Sequence, residues 1–190
     1  MIFLQNMKIF NTNIHGLKII KLKPNLDTRG IFIESYVKKK YKFLKSIDFK
    51  QDNFSISKKF VLRGLHYQLK NPQDKLIHIT NGKLINYTVD LRKGSPTFLK
   101  VFSIIINSKD FTQLFIPKGC ANGIVSLSNN LILNYKCSDY YNPTYSMGIR
   151  WDDPDLKINW RVKKLIISNN DRRLPFLSQI KNKDFPIFKK

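Results

Sequence analysis

Short apolar runs, each rich in β-branched or aromatic side chains, follow one another between about residues 54 and 137. Five of them are clear, and they occupy residues 76–80, 84–89, 101–106, 111–116 and 131–135. Apolar runs of about four to eight residues bounded by turn residues are typical of β-strands, whereas helices need longer periodic segments. This pattern constrains the fold more than any other feature of the chain, and it predicts a mainly β protein.

Turn-forming residues separate the runs. The strongest signal is Asn81-Gly82, a dipeptide typical of the two-residue turn that joins the strands of a β-hairpin. Glycine, proline, serine and asparagine also cluster at residues 94–96, 117–119 and 128–130. The number and spacing of the runs favour a closed antiparallel barrel or a jelly roll. Residues 36–46 and 172–180 are predicted to form short peripheral helices.

The composition fits one folded domain. The chain has 190 residues, of which 42% are hydrophobic and 13% aromatic, which is enough for a sizeable core. We see no internal repeat, linker or second domain, so we predict one domain over residues 1–190 with a basic C-terminal tail. No apolar run reaches the roughly 18 residues that span a bilayer, and Gln5 and Asn6 interrupt the apolar start before it forms a signal peptide. A cytoplasmic protein with no membrane partner is therefore expected.

Two cysteines, Cys120 and Cys137, are too few to form a disulfide framework in a domain of this size. Without a secretion signal, both are expected to be reduced. Cys120 is a nucleophile in one interpretation, but a small buried hydrophobic residue is the favoured one.

The net charge of +21, from 34 Lys and Arg against 13 Asp and Glu, raises nucleic acid as a possible partner. The lysines, however, are spread along the whole chain rather than gathered in one segment. A basic surface also raises the local concentration of a small anion, without any element that reads a base sequence. An anionic small substrate is therefore favoured, and no nucleic-acid partner is expected.

Arg63 and His66 lie close together in the run RGLHYQ at residues 63–68. A titratable base near a fixed cation suggests chemistry on an anionic substrate. A metal site is disfavoured, because the chain has only three histidines and no His-x-His or His-x-x-x-Glu spacing follows His66. His66 and His78 are still able to meet across strands. The residues alone leave His66 as either a hydrogen-bonded core imidazole or a general base.

A resemblance to a known family covers nearly the whole chain. It rests on an ordered set of motifs: DTRGIFIES (27–35), QDN (51–53), VLRGLHYQ (61–68), KL (75–76), SPTF (95–98), IPKG (116–119), YK (135–136), DYY (139–141), WDDP (151–154) and SNND (168–171). In this order they resemble the motifs of the dTDP-4-dehydrorhamnose 3,5-epimerase family. The resemblance implies a metal-free and cofactor-free jelly roll of the cupin type. It also implies a homodimer that acts on nucleotide-linked 4-keto-6-deoxy sugars in deoxysugar biosynthesis for surface polysaccharides.

Four residues match the catalytic positions of that family. A ketone at C4 acidifies the C–H bonds at C3 and C5, so epimerisation needs a base, an acid on the opposite face and a group that stabilises the enolate. The resemblance implies that His66 is the base and that Asp171 orients its ring. Tyr135 matches the acid, since a tyrosine with its ordinary pKa of about 10 stays protonated until needed. Lys75 matches a lysine close to the keto oxygen.

The resemblance also implies a set of residues that bind the substrate. Arg29 and Arg63 match contacts to the diphosphate, which suits the bidentate geometry of a guanidinium group. Phe32 and Tyr141 would stack on the base, Glu34 would accept a hydrogen bond from it, and two amides, Gln51 and Asn53, would add neutral hydrogen bonds. Asn122, which departs from the family pattern, is also predicted to contact the substrate. The N-terminal segment, about residues 1–50, is expected to be exchanged between subunits, so that Arg29 and Phe32 would serve the partner's site.

The chain departs from the family pattern at three polar positions. Asn122 stands where a histidine is common, Ser146 where an acid is common, and Asn170 where a lysine is common. Asparagine donates hydrogen bonds but does not carry a proton through a reaction. These changes suggest a changed substrate or a reaction restricted to one carbon.

Several alternatives therefore stay open beside an epimerase of dTDP-linked sugars at both carbons. The first is an epimerase of one carbon only, or one that acts on a CDP- or GDP-linked sugar. The related 3,4-ketoisomerases share the scaffold, although the RGLHYQ run and Tyr135 favour epimerisation. The last alternative is a noncatalytic module that binds sugar nucleotides or acidic polymers.

Overall fold

The computed structural model describes residues 7–189, and the apolar start at residues 1–4 and the last residue of the basic tail lie outside this range. The described chain forms fourteen β-strands and one short α-helix. The strands are β1 (Lys8–Asn11), β2 (Lys18–Lys21), β3 (Asn25–Asp27), β4 (Gly30–Phe32), β5 (Gln51–Ser57), β6 (Val61–Gln68), β7 (Lys75–Asn81), β8 (Lys83–Asp90), β9 (Val101–Asn107), β10 (Thr112–Ile116), β11 (Cys120–Ser126), β12 (Leu131–Cys137), β13 (Ser146–Gly148) and β14 (Ile166–Ile167). The helix is α1 (Asn169–Arg172), and the 3₁₀ turns are Lys38–Lys40, Lys42–Leu44, Ser108–Asp110, Pro143–Tyr145, Leu177–Gln179 and Asn182–Asp184.

Two sheets make up the body of the protein. The first has the strand order β1-β2-β10-β7-β12-β5, and the second has the order β13-β6-β11-β8-β9, with β14 parallel to β6. From β5 onward, the chain crosses from one sheet to the other at every connection up to β13 except the one between β8 and β9. Repeated crossing between two antiparallel sheets is the topology of a jelly roll. The predicted fold class is confirmed.

The prediction of a β-hairpin at Asn81-Gly82 is wrong. Asn81 ends β7, and β7 pairs with β10 and β12 in the first sheet, whereas β8 pairs with β11 and β9 in the second. Gly82 has a φ angle of +89°, and a Cβ atom there would lie 3.1 Å from the Cβ of Ser128. The dipeptide therefore turns a corner between the two sheets, because burying both apolar strands in one core outweighs the local preference of the turn.

The predicted peripheral helices are also corrected. Residues 36–46 form two 3₁₀ turns on either side of Tyr41, whose buried hydroxyl donates to Gln113 Oε1 at 2.7 Å. In the second segment, α1 ends at Arg172 and only the turn Leu177–Gln179 follows. Pro175 lies between them, and a proline disfavours helical geometry in the residue before it. Within residues 7–189 no helix is long and apolar enough to cross a membrane.

Strands β8, β10 and β11 are covered on both faces, which explains the length of their buried runs. In β8 all residues but the first are buried. Leu84 packs inside the roll, whereas Ile85, Tyr87 and Val89 pack under the C-terminal segment around Trp160. A strand buried on both faces reads as a continuous apolar run rather than as a strict alternation. Residues of the N-terminal segment cover the outer face of the first sheet in the same way.

Candidate active site

A cavity of about 910 Å³ lies between the two sheets. Strands β5, β7 and β12 of the first sheet form one wall, β6, β11 and β13 of the second form the other, and the segment around α1 closes one side. Nine of the twelve side chains predicted for the site line it: Gln51, Asn53, Arg63, His66, Lys75, Asn122, Tyr135, Tyr141 and Asp171. Since these residues are spread over 121 positions of sequence, from 51 to 171, only the fold brings them together.

His66 and Asp171 form a hydrogen-bonded pair at one wall of the cavity. His66 Nε2 lies 2.7 Å from Asp171 Oδ1, and the backbone nitrogen of Gly64 donates to Asp171 Oδ2 at 3.3 Å. The Asp171 side chain is 9% exposed, whereas that of His66 is 42% exposed. A carboxylate accepts hydrogen bonds, so the proton of the neutral imidazole lies on Nε2 and the lone pair on Nδ1. Nδ1 of His66 is therefore the atom free to take a proton.

A short helix holds Asp171 in place. Ser168 caps α1, and its hydroxyl oxygen accepts a hydrogen bond from the backbone nitrogen of Asp171 at 3.0 Å. Serine is among the residues preferred at this position because its side chain satisfies a free backbone N–H of the first turn. The cap fixes the direction in which the carboxylate leaves the helix, and that direction is toward His66.

Tyr135 faces His66 from the opposite wall. It lies in β12 of the first sheet, between Asn53 of β5 and Ile77 of β7, whereas His66 lies in β6 of the second sheet. Burial raises the pKa of the Tyr135 hydroxyl; the neighbouring Cys137 raises it further and the charge of Arg63 lowers it. The hydroxyl is thus protonated at neutral pH and available as an acid. A ligand ring held between the walls would have a base on one face and an acid on the other.

Lys75 lies beside Tyr135 on the same wall. It is opposite Cys137 in the pairing of β7 with β12. Burial lowers the pKa of the Lys75 ammonium group, and the effect of Cys137 only partly opposes this. Burial likewise raises the pKa of the Cys137 thiol. The cavity therefore holds a desolvated cation whose stabilisation would come from a negatively charged ligand.

Polar side chains at the mouth of the cavity form two hydrogen-bonded groups. Gln51 Nε2 donates to Asn53 Oδ1 at 2.9 Å, and Gln51 Oε1 accepts from the backbone nitrogen of Tyr141 at 2.7 Å. Arg63 Nε donates to Ser57 Oγ at 3.0 Å, which leaves the end of its guanidinium group for other acceptors. This arrangement supplies one fixed cation, two amides and an exposed aromatic ring within one region.

Asn122 pairs directly with His66 across β11 and β6. Its Nδ2 donates to the backbone oxygen of Tyr87 at 3.0 Å. The other two positions at which the chain departs from the family pattern, Ser146 and Asn170, also line the cavity. All three polar departures therefore lie in the same cavity.

Three predicted residues lie outside the cavity. Arg29 forms an ion pair with Asp27 at 2.5 Å and its side chain is 88% exposed, and Phe32 is 65% exposed. Glu34 pairs with Lys40. These residues belong to or follow the β3–β4 hairpin, which pairs with neither large sheet. The cavity of one chain is built without them.

His78 and Cys120 do not line this cavity. In β7, Lys75 and Ile77 face the cavity, so His78 faces the opposite side and does not meet His66. Cys120 is buried, and its Sγ lies 4.0 Å from Asp90 Oδ1. A second groove, of about 740 Å³, is lined by residues from Trp151 to Arg172 and contains none of the predicted site residues.

Sequence reasoning missed several polar residues that line the cavity, which are Ser55, Tyr67, Gln68, Gln73, Cys137 and Ser168. Two of them, Cys137 and Ser55, each lie two positions after a predicted residue of the same strand, Tyr135 and Asn53 respectively. Side chains two apart in a strand share a face. The alternation was therefore the signal that would have found them.

The fold and the cavity define a jelly-roll protein of the cupin type whose cavity, between the two sheets, is lined by a histidine–aspartate pair and a tyrosine. A sequence model of the dTDP-4-dehydrorhamnose 3,5-epimerase family matches residues 11–179. The chain belongs to this family. The resemblance described from the motifs, to a family of carbohydrate epimerases, is confirmed.

Relatives support the same assignment over most of the chain. The dTDP-4-dehydrorhamnose 3,5-epimerase of Methanothermobacter thermautotrophicus is 39% identical over 169 residues, which cover 87% of this chain and 91% of the relative. The structure of dTDP-6-deoxy-D-glucose-3,5-epimerase from Legionella pneumophila, in complex with dTDP-4-keto-L-rhamnose, is 40% identical and has a TM-score of 0.93 over 97% of this chain and 100% of that one. A 3'-monoepimerase from Streptomyces bikiniensis, in complex with dTDP-quinovose, is 26% identical, with a TM-score of 0.84 over 92% and 90% of the two chains.

Proposed function

We propose that the protein epimerises a dTDP-linked 4-keto-6-deoxy hexose at C3 and C5. The observation that carries this proposal is the His66–Asp171 pair facing Tyr135 across the cavity, because epimerisation needs a base and an acid on opposite faces of the sugar ring. The relatives named above, two of which are 3,5-epimerases, support the substrate class. The mechanism uses only side chains of this chain.

The reaction begins with the transfer of a proton from carbon to Nδ1 of His66. The electron pair of the broken C–H bond moves toward the C4 ketone and forms an enolate, with negative charge on O4. Asp171 stabilises the imidazolium that results, because its carboxylate accepts from Nε2 at 2.7 Å. An ion pair of this kind is worth more in a partly buried site than in water.

Lys75 stabilises the enolate. Its ammonium group is desolvated and opposite Cys137, so a negative charge that develops on O4 gives it the partner that the free site lacks. An interaction that forms only as charge develops lowers the barrier rather than strengthening ground-state binding. Tyr135 then donates its hydroxyl proton to the opposite face of the same carbon, which inverts the configuration.

The nucleotide would occupy the mouth of the cavity. Arg63 would contact the diphosphate, Gln51 and Asn53 would donate or accept hydrogen bonds, and Tyr141 would stack on the base. We further propose a homodimer in which the β3–β4 hairpin of one copy reaches the cavity of the other, so that Arg29, Phe32 and Glu34 complete the nucleotide site.

Exposed apolar side chains support the proposed homodimer. Leu26 and Phe32 of the hairpin are 72% and 65% exposed, and Phe54 and Ile56 of β5 are 70% and 56% exposed. Among the residues that the structure describes, β5 is also an edge strand of the first sheet, with one side unpaired. Apolar groups concentrated on an edge strand and a protruding hairpin mark a surface that a partner covers.

Epimerisation of one carbon only is the second candidate. Asn122 lies opposite His66, where the family commonly has a histidine, and an amide does not carry a proton. The similarity to a 3'-monoepimerase supports this candidate as well. The position of the protein in deoxysugar biosynthesis, and its location in the cytoplasm, are proposed for either reaction.

Solvent exchange separates these functions. The protein is incubated with dTDP-4-keto-6-deoxyglucose in deuterated water, and C3 and C5 are followed by NMR. Deuterium at both carbons with inversion supports the main proposal, and deuterium at one carbon supports the second candidate. If no carbon exchanges with dTDP-, CDP- or GDP-linked sugars, the protein is a binding module.

The variant His66→Asn tests the base in the same assay. Exchange should fall by about 10³-fold or more, since the amide accepts no proton, while affinity for dTDP stays within about threefold. His78→Asn is the matched control, because His78 faces away from the cavity. Full exchange in His66→Asn would exclude His66 as the base.

A further inference from the structure

A row of polar side chains runs from the cavity into the closed interior of the roll. Strands β6, β11 and β8 lie side by side, and in their register Asn122 pairs with His66 on one side and with Thr88 on the other. Asn86 lies two positions before Thr88 in β8, so the two side chains share a face of the strand. Thr88 and Asn86 are both 0% exposed. Buried polar groups in proteins are almost always hydrogen-bonded, so fully buried polar side chains beside an apolar cluster need an explanation.

The hydrogen bonds of this row have a direction. The hydroxyl of Thr88 donates to Asn86 Oδ1 at 3.0 Å, so the lone pairs of the Thr88 oxygen remain as acceptors. Asn122 Nδ2 donates to the backbone oxygen of Tyr87 at 3.0 Å and lies 3.5 Å from the Thr88 oxygen. Both N–H bonds of the Asn122 amide are thus directed toward β8. Among the described residues, no protein group donates to Asn122 Oδ1.

Burial of this row has a free-energy cost that is visible at Asn86. Its Nδ2 is the one buried side-chain nitrogen or oxygen in residues 7–189 without a hydrogen-bond partner. A buried donor left unpaired costs about 1–3 kcal/mol. A leucine or valine in the row would avoid that cost, so the polar row is consistent with a role outside packing.

We propose that Asn122 accepts a hydrogen bond from a hydroxyl group of the substrate's sugar ring, and that Thr88 and Asn86 are positioning residues that hold its amide in that orientation. This inference rests on the proposed function, because it takes a sugar nucleotide as the ligand of the cavity. With both N–H bonds held by β8, the amide presents its carbonyl oxygen to the cavity beside His66. Asn122 therefore selects for a hydroxyl donor next to the reacting carbon, and it contacts the sugar rather than the nucleotide.

Two ligands separate a sugar contact from a nucleotide contact. The probes are dTDP and dTDP-6-deoxyglucose, which has no ketone and does not react, and both dissociation constants are measured by calorimetry. The Kd of dTDP divided by the Kd of dTDP-6-deoxyglucose is the affinity ratio that reports the contribution of the sugar. In Asn122→Leu, which has a similar volume, the ratio should fall about fivefold, as expected for the loss of one neutral hydrogen bond, while the affinity for dTDP alone changes by less than about twofold.

Thr88→Val tests the positioning role, because it keeps the shape of the side chain and removes the hydroxyl. The ratio should again fall, and the side-chain amide protons of Asn122 should exchange faster with solvent in NMR spectra. Thr88→Ser, which keeps the hydroxyl, should restore most of the ratio. Asn134→Leu is the matched control, since Asn134 bonds to Thr80 and does not line the cavity.

Each of the other outcomes overturns either a defined part of this inference or the proposed function. An unchanged ratio in Asn122→Leu, in a wild-type protein that binds both ligands and exchanges deuterium, overturns the inference and leaves the proposed function standing. Equal losses for both ligands would assign Asn122 to the nucleotide. An unchanged ratio and amide exchange in Thr88→Val would remove the positioning role. If the wild-type protein binds neither ligand, the proposed function fails, and the inference fails with it.

Discussion

In the proposed reaction the two ring nitrogens of His66 have separate tasks, because Asp171 lies on only one side of the ring. Nε2 is held at 2.7 Å from the carboxylate, and Nδ1 would take the proton of the substrate. The carboxylate is also held by the Gly64 backbone and by the α1 cap through Ser168, so its position does not depend on His66. A base oriented in this way loses little entropy when the substrate arrives.

Tyr135→Phe should separate proton exchange from inversion. Without an acid on the opposite wall, His66 still removes the proton and returns a deuteron to the same face, so deuterium enters while the configuration stays. Inversion should slow by about 10³-fold. NMR of the product measures deuterium content and configuration together.

Tyr140→Phe is the control for that substitution, because Tyr140 is 63% exposed and does not line the cavity. Loss of both deuterium entry and inversion in Tyr135→Phe, with dTDP binding intact, would place Tyr135 in the first proton transfer instead.

Lys75→Met should make the protein more stable and less active. Burial lowers the pKa of Lys75 from 10.5, so between the lowered value and 10.5 the unfolded chain holds more protons and the free energy of unfolding rises with pH. Below that window the full penalty applies, and methionine removes it, with a gain of about 1 kcal/mol at pH 7. The gain should shrink as the pH approaches 10.5, as measured by urea denaturation. Deuterium exchange should fall about 100-fold, because the enolate loses its cation.

Lys136→Met is the matched control for Lys75→Met. Lys136 lies in β12 and pairs with Asp52 at 2.7 Å, outside the cavity. Loss of this surface pair should lower stability by about 0.5 kcal/mol and leave exchange unchanged. A loss of stability in Lys75→Met at pH 7 would contradict the desolvation argument.

At the scale of elements, β6 and β11 approach each other closely where the site is built. Gly64 has a φ angle of +141°, and a Cβ atom there would lie 2.4 Å from the Cα of Gly123 and 2.9 Å from the backbone oxygen of Asn122. The register of the two strands shifts at this point, between Asn122 and Ile124. The glycine pair therefore sets how His66, two positions after Gly64, projects into the cavity.

Gly64→Ala should lower the free energy of unfolding by about 3 kcal/mol, since it adds a clash with backbone atoms to an unfavourable φ angle. Gly30→Ala is a matched control, because Gly30 has a φ angle of +125° but no atom within 4 Å of the added Cβ. It should cost about 1 kcal/mol. Urea denaturation measures both, and equal losses would show that the contact with Gly123 contributes nothing.

At the scale of the whole molecule, the β3–β4 hairpin is the part whose proposed role depends on a second copy. It projects Arg29 and Phe32 away from the cavity of its own chain, and it carries apolar side chains that no part of residues 7–189 covers. A hairpin that completed its own site would have to fold back over the mouth. Exchange between two copies accounts for both the position and the exposure.

Mixing two inactive variants tests this exchange. Arg29→Ala and His66→Asn should each have low activity, and a mixture unfolded and refolded together should recover up to about a quarter of wild-type activity, because half the dimers are mixed and each has one intact site. Activity of the mixture is compared with that of each variant refolded alone. No recovery in a protein that sediments as a dimer would place Arg29 in its own chain's site, and a monomer would exclude the proposed assembly.

Local sequence determined which segments become strands and which residue types are available for chemistry. The predicted apolar runs 76–80, 84–89 and 131–135 form β7, β8 and β12 within about two residues of their predicted bounds. The reason is that strand preference depends on the spacing and shape of side chains within each run. The roles of His66, Tyr135, Lys75 and Asp171, by contrast, were predicted from the resemblance of their motifs to a known family and not from local pattern.

Only the tertiary structure decided how these pieces meet. Asn81-Gly82 has the sequence of a hairpin turn, but it joins two different sheets, because the faces of β7 and β8 are buried more fully against other strands. The 2.7 Å contact between His66 and Asp171 joins residues 105 apart in sequence, and no local pattern encodes such a distance. Burial, which lowers the pKa of Lys75 and raises that of Tyr135, is likewise a property of the closed cavity. The sequence determines which titratable groups are present, but their burial and neighbouring charges, which shift their pKa values, exist only once the two sheets have packed against each other.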